Sequence, residues 1–274
     1  MSLSLVTLNH NRESFLSAQI DSIQKVLRQT PEITVEHLVV NVDSTGVDTP
    51  TQAPNYTLRN LNISLDRGLL NFSKARNYGA KEAQFENVIF LDADCLVDTN
   101  FFAEYVRCLT PEFAGIVHGH AWYMRPEITY AQMQADRGDH TQFYRPGLDA
   151  RAKQDMALTN SYELFTSIHF GCRRDLFDSL GGFDEEYRGY SCEDTDFGQK
   201  LRAQKIPLYM NKAEAFHQYH KASGAPFEKV SEVVRNVNYF QSKWGWLPAQ
   251  AWLDAFMERD LIAYENGRVV SKAD

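Results

Sequence analysis

Two uninterrupted apolar runs, Leu38-Val39-Val40 and Val88-Ile89-Phe90-Leu91, constrain the fold more than any other feature of the sequence. A strand that is apolar at every position has no water-facing side. Such strands occur where helices cover both faces of a largely parallel sheet. The segments around them supply those helices. Residues 3–8 read as a first strand and Asn9-His10-Asn11 as a turn, after which Phe15, Ile20, Ile23, Val26 and Leu27 recur at helical spacing until Pro31. Residues 35–42 form a second strand, and a Thr- and Pro-rich loop runs from 43 to about 55. Residues 56–63 form a third strand, and Asn71 or Ser73 caps a helix carrying Ala75, Tyr78, Ala80 and Ala83. A helix at about 100–109 and a strand at about 115–123 continue the alternation. Beyond them lie an ordered stretch at 164–170, helices at 174–180 and 193–204, and a strand near Leu208. The last 50 residues read as mainly helical, with Val230, Val233, Val234, Val237 and Phe240 in register. The pattern predicts an α/β fold with a mostly parallel sheet and a helical C-terminal extension.

The chain has 274 residues, enough for one large domain or two small ones with a substantial core. Acidic residues outnumber Lys and Arg by 36 to 28, a formal charge of −8 that speaks against nucleic acid as a partner. No stretch reaches the ~18–20 uncharged apolar residues that span a bilayer. The N-terminus opens directly on a strand, without a basic segment or a small-residue cleavage site. The expected localisation is cytoplasmic, with peripheral contact to the inner membrane face as the variant. Cys95, Cys108, Cys172 and Cys192 are scattered without metal-ligand spacing and are expected to be reduced. The sequons at Asn55, Asn62 and Asn71 are expected to be idle.

Three clusters carry the chemistry. Asp92-Ala93-Asp94 follows the apolar run directly, at the strand end where ligands gather in open α/β sheets. Paired carboxylates there suit a hard divalent cation that in turn holds a diphosphate; an ordinary acidic turn is the plainer reading. Gly181-Gly182-Phe183-Asp184-Glu185-Glu186 and then Glu193-Asp194-Thr195-Asp196 make the second cluster. Acids in a first helical turn also complement the helix dipole without any catalytic role. Phe216-His217-Gln218-Tyr219-His220 supplies the third, and an imidazole added to carboxylates favours Mn²⁺ over Ca²⁺.

The order of these elements resembles the family 2 glycosyltransferases of the GT-A fold, in the branch with a galactosyltransferase-type C-terminal motif. Val6-Thr7-Leu8-Asn9-His10-Asn11-Arg12, Ala75-Arg76-Asn77-Tyr78-Gly79 and Phe90-Leu91-Asp92-Ala93-Asp94 carry the likeness. Gly181-Gly182-Phe183-Asp184-Glu185, Glu193-Asp194-Thr195-Asp196 and His217 continue it, over about residues 2–220. The resemblance implies a GT-A domain over 1–225, with a nucleotide-binding half (1–120) and an acceptor and catalytic half (121–225). Residues 226–274 would pack on it as an extension. It implies Thr7 and Asn9 beside the base and ribose, Asp43 on uracil or ribose, and Arg76 and Asp92 on the nucleotide. Asp43 stands in Asn41-Val42-Asp43, where the family usually shows adjacent acids. Asp94 would ligate Mn²⁺ or Mg²⁺, with Asp92 also on the metal and His217 as the third ligand, His220 being its close competitor. Asp194 is similar to the family's catalytic base, with Glu193 orienting a sugar.

The implied reaction is inverting transfer from a UDP-sugar to a hydroxyl of a glycan or lipid-linked glycan. A carboxylate within ~2.6–3.2 Å would take the hydroxyl proton. The sequence lacks the Gln/Arg-x-x-Arg-Trp signature of processive synthases, which favours single addition. The weakly periodic stretch 122–162, with Tyr130, Phe143 and Tyr144, is the expected source of acceptor contacts; Lys243-Trp244-Gly245-Trp246 is expected to be packing. Two alternatives remain at this level: a nucleotidyltransferase, and a non-catalytic domain that binds a nucleotide-sugar.

Overall fold

A computed structural model describes residues 1–49, 53–126, 128, 132, 156–220 and 224–272. A nine-stranded mixed sheet forms its centre. Its first half is parallel, in the order β3 (Tyr56–Ile63), β2 (Thr34–Val42), β1 (Ser2–Asn9) and β4 (Asn87–Leu91). The order continues through β8 (His169–Arg173), β6 (Ile116–Tyr123), β9 (Leu208–His217) and β5 (Cys95–Val97), with β7 (Ala157–Thr159) also on β9. β6 and β9 run parallel, and β8, β5 and β7 introduce the antiparallel pairs.

Within each apolar run, alternate residues enter different cores. Leu3, Leu5, Val35, Val39, Ile89 and Leu91 pack with Leu16, Ile20, Ile23 and Leu27 of helix α1 (Glu13–Gln29) and with Phe101, Phe102 and Tyr105 of α3 (Phe101–Cys108). Val6, Leu38, Val40, Val88 and Phe90 face the other way. They meet Ala75 and Ala80 of α2 (Phe72–Glu82), Phe177 of α4 (Arg174–Ser179), and Phe197 and Leu201 of α5 (Glu193–Ala203). Burying both sides of each strand is what makes the uninterrupted apolar runs favourable. The expected α/β sheet with helices on both faces is therefore present. Gly79 lets α2 close on β1, since a Cβ there would lie 2.3 Å from Val6 Cγ1.

A third core unites α6 (Val230–Trp244) and α7 (Gln250–Glu258) with Tyr187 and Cys192 of the segment leading into α5. The extension is not all helical. It ends in an antiparallel hairpin of β10 (Ile262–Glu265) and β11 (Arg268–Ser271), turned at Asn266 (φ 49°) and Gly267 (φ 77°). Asn-Gly with both residues at positive φ is the turn whose twist matches hairpin strands. Among the described residues no helix is long and apolar enough to cross a membrane. All four cysteines are free thiols.

Candidate active site

β4 ends at Leu91, and the turn that follows is anchored from behind. Asp92 N–H donates to the Ile168 carbonyl (2.9 Å), and Cys95 N–H donates to the Asp92 carbonyl (3.0 Å). Gln19 Nε2 donates to the carbonyls of both Asp92 (2.7 Å) and Cys95 (2.9 Å). Gln19 Oε1 accepts from the Thr7 hydroxyl, which lies 2.9 Å from His37 Nε2; His37 Nδ1 meets the Tyr56 hydroxyl at 2.8 Å. Burial drives the His37 pKa down to about 3, so its ring is neutral. The relay then reads from the Tyr56 hydroxyl to His37 Nδ1, from His37 Nε2–H to Thr7, and from Thr7 to Gln19. Thr7 is fully buried in this chain and supports the Asp92 turn from beneath. Asn9 is equally buried, bonded to Asn41 and to Arg12 N–H. Asp43 is exposed at the end of β2 and accepts from Leu65 N–H.

Asp94 meets two histidines. Strand β5 pairs Cys95 with His217, the last residue of β9, and Gln218 N–H donates to the Asp94 carbonyl at 2.7 Å. That register sets His217 Nε2 3.5 Å from Asp94 Oδ1, and His220 Nε2 lies 3.1 Å from Oδ2. One ligand atom from each of the three residues lies within 4.8 Å of the others. Burial lowers the His217 pKa, Asp94 opposing, and keeps the ring neutral. Its Nδ1 is 3.0 Å from the Gln218 carbonyl and therefore carries the hydrogen. Nε2 then turns a lone pair toward the Asp94 carboxylate. Two acceptors facing each other fit a cation between them, so this donor set suits a divalent ion. Burial opposes the charge of Asp94, but the hydrogen bond from His220, with Arg12 adding, holds it below the usual range. The structure thus brings both His217 and His220 to Asp94, where the sequence reading has them compete for one position.

Arg76, on α2, is clasped by three carboxylates: Glu193 Oε1 at 3.3 Å, Asp92 Oδ1 at 3.6 Å and Asp194 Oδ1 at 3.7 Å. Its guanidinium lies over the rings of Phe183 and Phe72, 5.3 and 5.6 Å from their centroids. Burial works against its charge, but Asp194, Asp92 and Glu193 outweigh that and raise its pKa. Arg76 therefore organises the acids at the end of β4 and the start of α5. The Asp92 carboxyl is held well above its usual range by burial, with Asp94, Asp194 and Glu193 adding and Arg76 opposing. A third of the Asp92 side chain nonetheless stays open. Burial, then Asp194, pushes Glu193 up to about 7. Asp194 Oδ2 accepts from Ser167 N–H at 3.1 Å, and 29% of its side chain is exposed against 11% for Glu193.

The Gly-Gly-Phe-Asp-Glu stretch is a structural junction. Phe183 stacks on Phe197 (4.4 Å), and Asn77 bonds both the N–H and the carbonyl of Phe183. Asp184 accepts from Tyr239 and Lys243. Asp196, fully buried on α5, accepts from Tyr187, Trp244 and Lys243 (3.0, 2.7 and 2.6 Å). Lys243-Trp244 is thus packing, as its sequence suggested, but packing that ends on the helix bearing Asp194. Tyr130, Phe143 and Tyr144, expected to touch an acceptor, lie outside the described residues. Trp122 donates to Glu214, and Tyr123 lies against the His217 ring, 4.8 Å between centroids.

An α/β sheet with an acidic and imidazole site at strand ends defines a ligand-binding class of fold. The chain belongs to the glycosyltransferase-like family 2, whose family model matches residues 5–245. It is 26% identical over 274 aligned positions to validoxylamine A glucosyltransferase of Streptomyces hygroscopicus subsp. jinggangensis, covering 88% of this chain and 60% of that protein. Curated relatives are matched over 27% to 60% of their length. In structure it is similar to Staphylococcus aureus TarS 1-349 in complex with UDP-GlcNAc, with a TM-score of 0.58, 15% identity, and coverage of 88% of this chain and 67% of that one. It is also similar to GalNAc-T7 with UDP, GalNAc and Mn²⁺, with a TM-score of 0.53, 14% identity, and coverage of 89% and 51%. These likenesses establish the GT-A type of fold.

Proposed function

We propose that the chain is a divalent-cation-dependent, inverting glycosyltransferase that moves one sugar from a UDP-sugar to an acceptor hydroxyl. The convergence of Asp94, His217 and His220, two residues along the chain from an acid cluster organised by Arg76, carries the reading. Family membership supports it. So do the names of the proteins it resembles: a glucosyltransferase, and structures holding UDP-GlcNAc or UDP with Mn²⁺.

Asp94, His217 and His220 would hold the cation, with the partly open Asp92 beside it. When bound, Mn²⁺ or Mg²⁺ supplies positive charge that screens the departing diphosphate. Asp194 takes the acceptor proton on Oδ2, because it is the more open of the helix-borne acids; Ser167 N–H orients that oxygen, and Oδ1 is buried toward Arg76. Glu193, mostly buried against Arg76, fixes the direction of the pair. Attack assisted from that side inverts the anomeric carbon. Exposed Asp43 serves the uracil or ribose, and Thr7 and Asn9 shape the floor from behind. Residues 1–225 form the transferase unit, in the halves 1–120 and 121–225, and 226–274 brace it. A glycan or lipid-linked glycan acceptor and a cytoplasmic workplace complete the reading.

UDP release from UDP-glucose, UDP-galactose, UDP-GlcNAc and UDP-GalNAc, measured with MnCl₂ and with EDTA, tests it. The expected result is release with at least one donor that EDTA abolishes. Release indifferent to EDTA refutes the metal role, and no release with any donor refutes the transferase.

A further inference from the structure

Residues 166–168 join the two acid clusters, and β6 holds them from behind. Ser167 N–H donates to Asp194 Oδ2 (3.1 Å), and the Ile168 carbonyl accepts from Asp92 N–H (2.9 Å). One short segment therefore sets the acid on α5 against the turn that ends β4. The ladder between β6 and β8 pairs Val117 with Gly171 and His118 with Phe170, and among the described residues it goes no further toward Ser167. Imidazoles take over where it stops. His169 Nε2 lies 2.8 Å from the His120 carbonyl, and its Nδ1 lies 2.9 Å from the Tyr105 hydroxyl. Burial lowers the His169 pKa to about 3, so the ring is neutral, donating from Nε2 and accepting from Tyr105.

The second imidazole is His118, only 3% exposed. Its Nε2 lies 2.6 Å from the Thr166 carbonyl and 3.4 Å from the Thr166 hydroxyl, and its Nδ1 lies 3.0 Å from the Gly119 carbonyl. The shortest contact requires the hydrogen on Nε2, since a bare ring nitrogen and a carbonyl oxygen repel each other. His118 thus donates to Thr166 whether its ring carries one proton or two. The Thr166 carbonyl and Ser167 N–H belong to one peptide unit, which is planar and nearly rigid. A hydrogen bond enters that plane at its oxygen, and another leaves it at its nitrogen toward Asp194 Oδ2. Bonds in series polarise one another. The backbone aims the ring: the register of β6 against β9 shifts between His118 and His120, and such a break re-aims a side chain. Gly119 permits the approach, since a Cβ there would lie 2.1 Å from His169 Cε1. Phe165 meets the His118 ring edge-on, 5.6 Å between centroids.

We propose that His118 is a positioning residue for the transfer, holding the proton-accepting oxygen of Asp194 in place through the Thr166–Ser167 peptide. This rests on the reading of Asp194 as the base and adds a residue one peptide unit behind it.

The test uses the full chain with MnCl₂ and a donor from which the wild type releases UDP. A glutamine amide nitrogen can stand where Nε2 stands, whereas an asparagine amide reaches only the place of Nδ1. His118→Asn and His118→Leu therefore lose the bond to Thr166, and His118→Gln keeps it. The expected kcat falls about tenfold or more in the first two, the scale on which misplaced groups cost rate, and stays within about threefold of wild type in His118→Gln. Donor KM, and UDP affinity by calorimetry, stay within about twofold throughout. On an Asp194→Asn background, His118→Asn and His118→Leu lower the residual rate less than about twofold, because residues acting as one unit are not additive. A merely structural role would move KM, affinity and the residual rate as well, and glutamine would not rescue it. Wild-type kcat in whichever of His118→Asn and His118→Leu folds overturns the proposal. So does an equal loss in His118→Gln, or the same fold-loss with and without Asp194. Failure of the underlying reading looks different: no UDP release by the wild type from any donor, or full turnover by Asp194→Asn, and either removes the role of His118 with it.

Discussion

At the residue scale, the site depends on one buried cation compensating three acids. Replacing Arg76 by Met leaves Asp92, Glu193 and Asp194 crowded without their partner, and breaking a buried ionic cluster costs about 3–5 kcal/mol. Urea unfolding of Arg76→Met should show a loss of that order; a change below about 1 kcal/mol would mean that the clasp is relieved by water. Glu193 gives a pH signature. Its pKa is raised from 4.5 to about 7 in the folded chain, so the folded state binds the extra proton. The associated stability is complete below about 4.5 and is lost as pH rises through about 7. In EDTA, Tm should fall between pH 5 and 8 for the wild type and fall less for Glu193→Gln; parallel curves would place Glu193 in solvent. Asp194→Asn should cut turnover about 100-fold or more while UDP affinity stays close to wild type, read by UDP release and calorimetry; unchanged turnover removes Asp194 as the base. Asp92, Asp94, Glu193, Asp194 and His217 were legible in the sequence because each stands in a dense polar cluster beside an apolar element. The clasp of Arg76 by three acids was not, because a lone Arg on a helix gives no sign of which acids the fold will bring to it. The bonds of the Thr7 hydroxyl to Gln19 and His37 were likewise not legible, since both partners are distant in the chain.

At the scale of elements, the strand that precedes the acids and the helix that carries them were plain from apolar periodicity. Burial decides those segments whatever the neighbours. Short strands were not plain. Cys95-Leu96-Val97 and Ala157-Leu158-Thr159 are three residues each, and they exist only because β9 offers an edge. The hairpin was missed although its signal is present: Asn266-Gly267 between Ile262 and Val269, both of which turn inward. Helix α6 proves to be the mould for the segment before α5. Asn236 serves three carbonyls there, and Asn236→Ala takes that donor from Tyr190 and Ser191, while the Arg188 carbonyl keeps Arg235. At about 1–3 kcal/mol for a buried polar group left unpaired, the expected stability loss is about 2 kcal/mol with a larger fall in turnover, measured by denaturation and UDP release. Stability lost with turnover intact would separate the clamp from the chemistry.

At the scale of the molecule, the parallel half of the sheet ends its strands where Asp92 and Asp94 stand, and the mixed half delivers His217 from β9. α5 and the extension close the third side through Asp196, Lys243 and Trp244. The sequence carried the α/β layering because alternating strands and helices admit few other arrangements. It did not carry the pairing of β5 with β9, a contact between residues more than a hundred apart that only the folded sheet creates. The most direct test of the whole account is an anomalous difference map from crystals grown with MnCl₂ and UDP. One manganese peak shared by Asp94, His217 and His220, with the diphosphate on its open side, is the predicted result. Manganese bound elsewhere, or UDP seated without reference to those three residues, would contradict it.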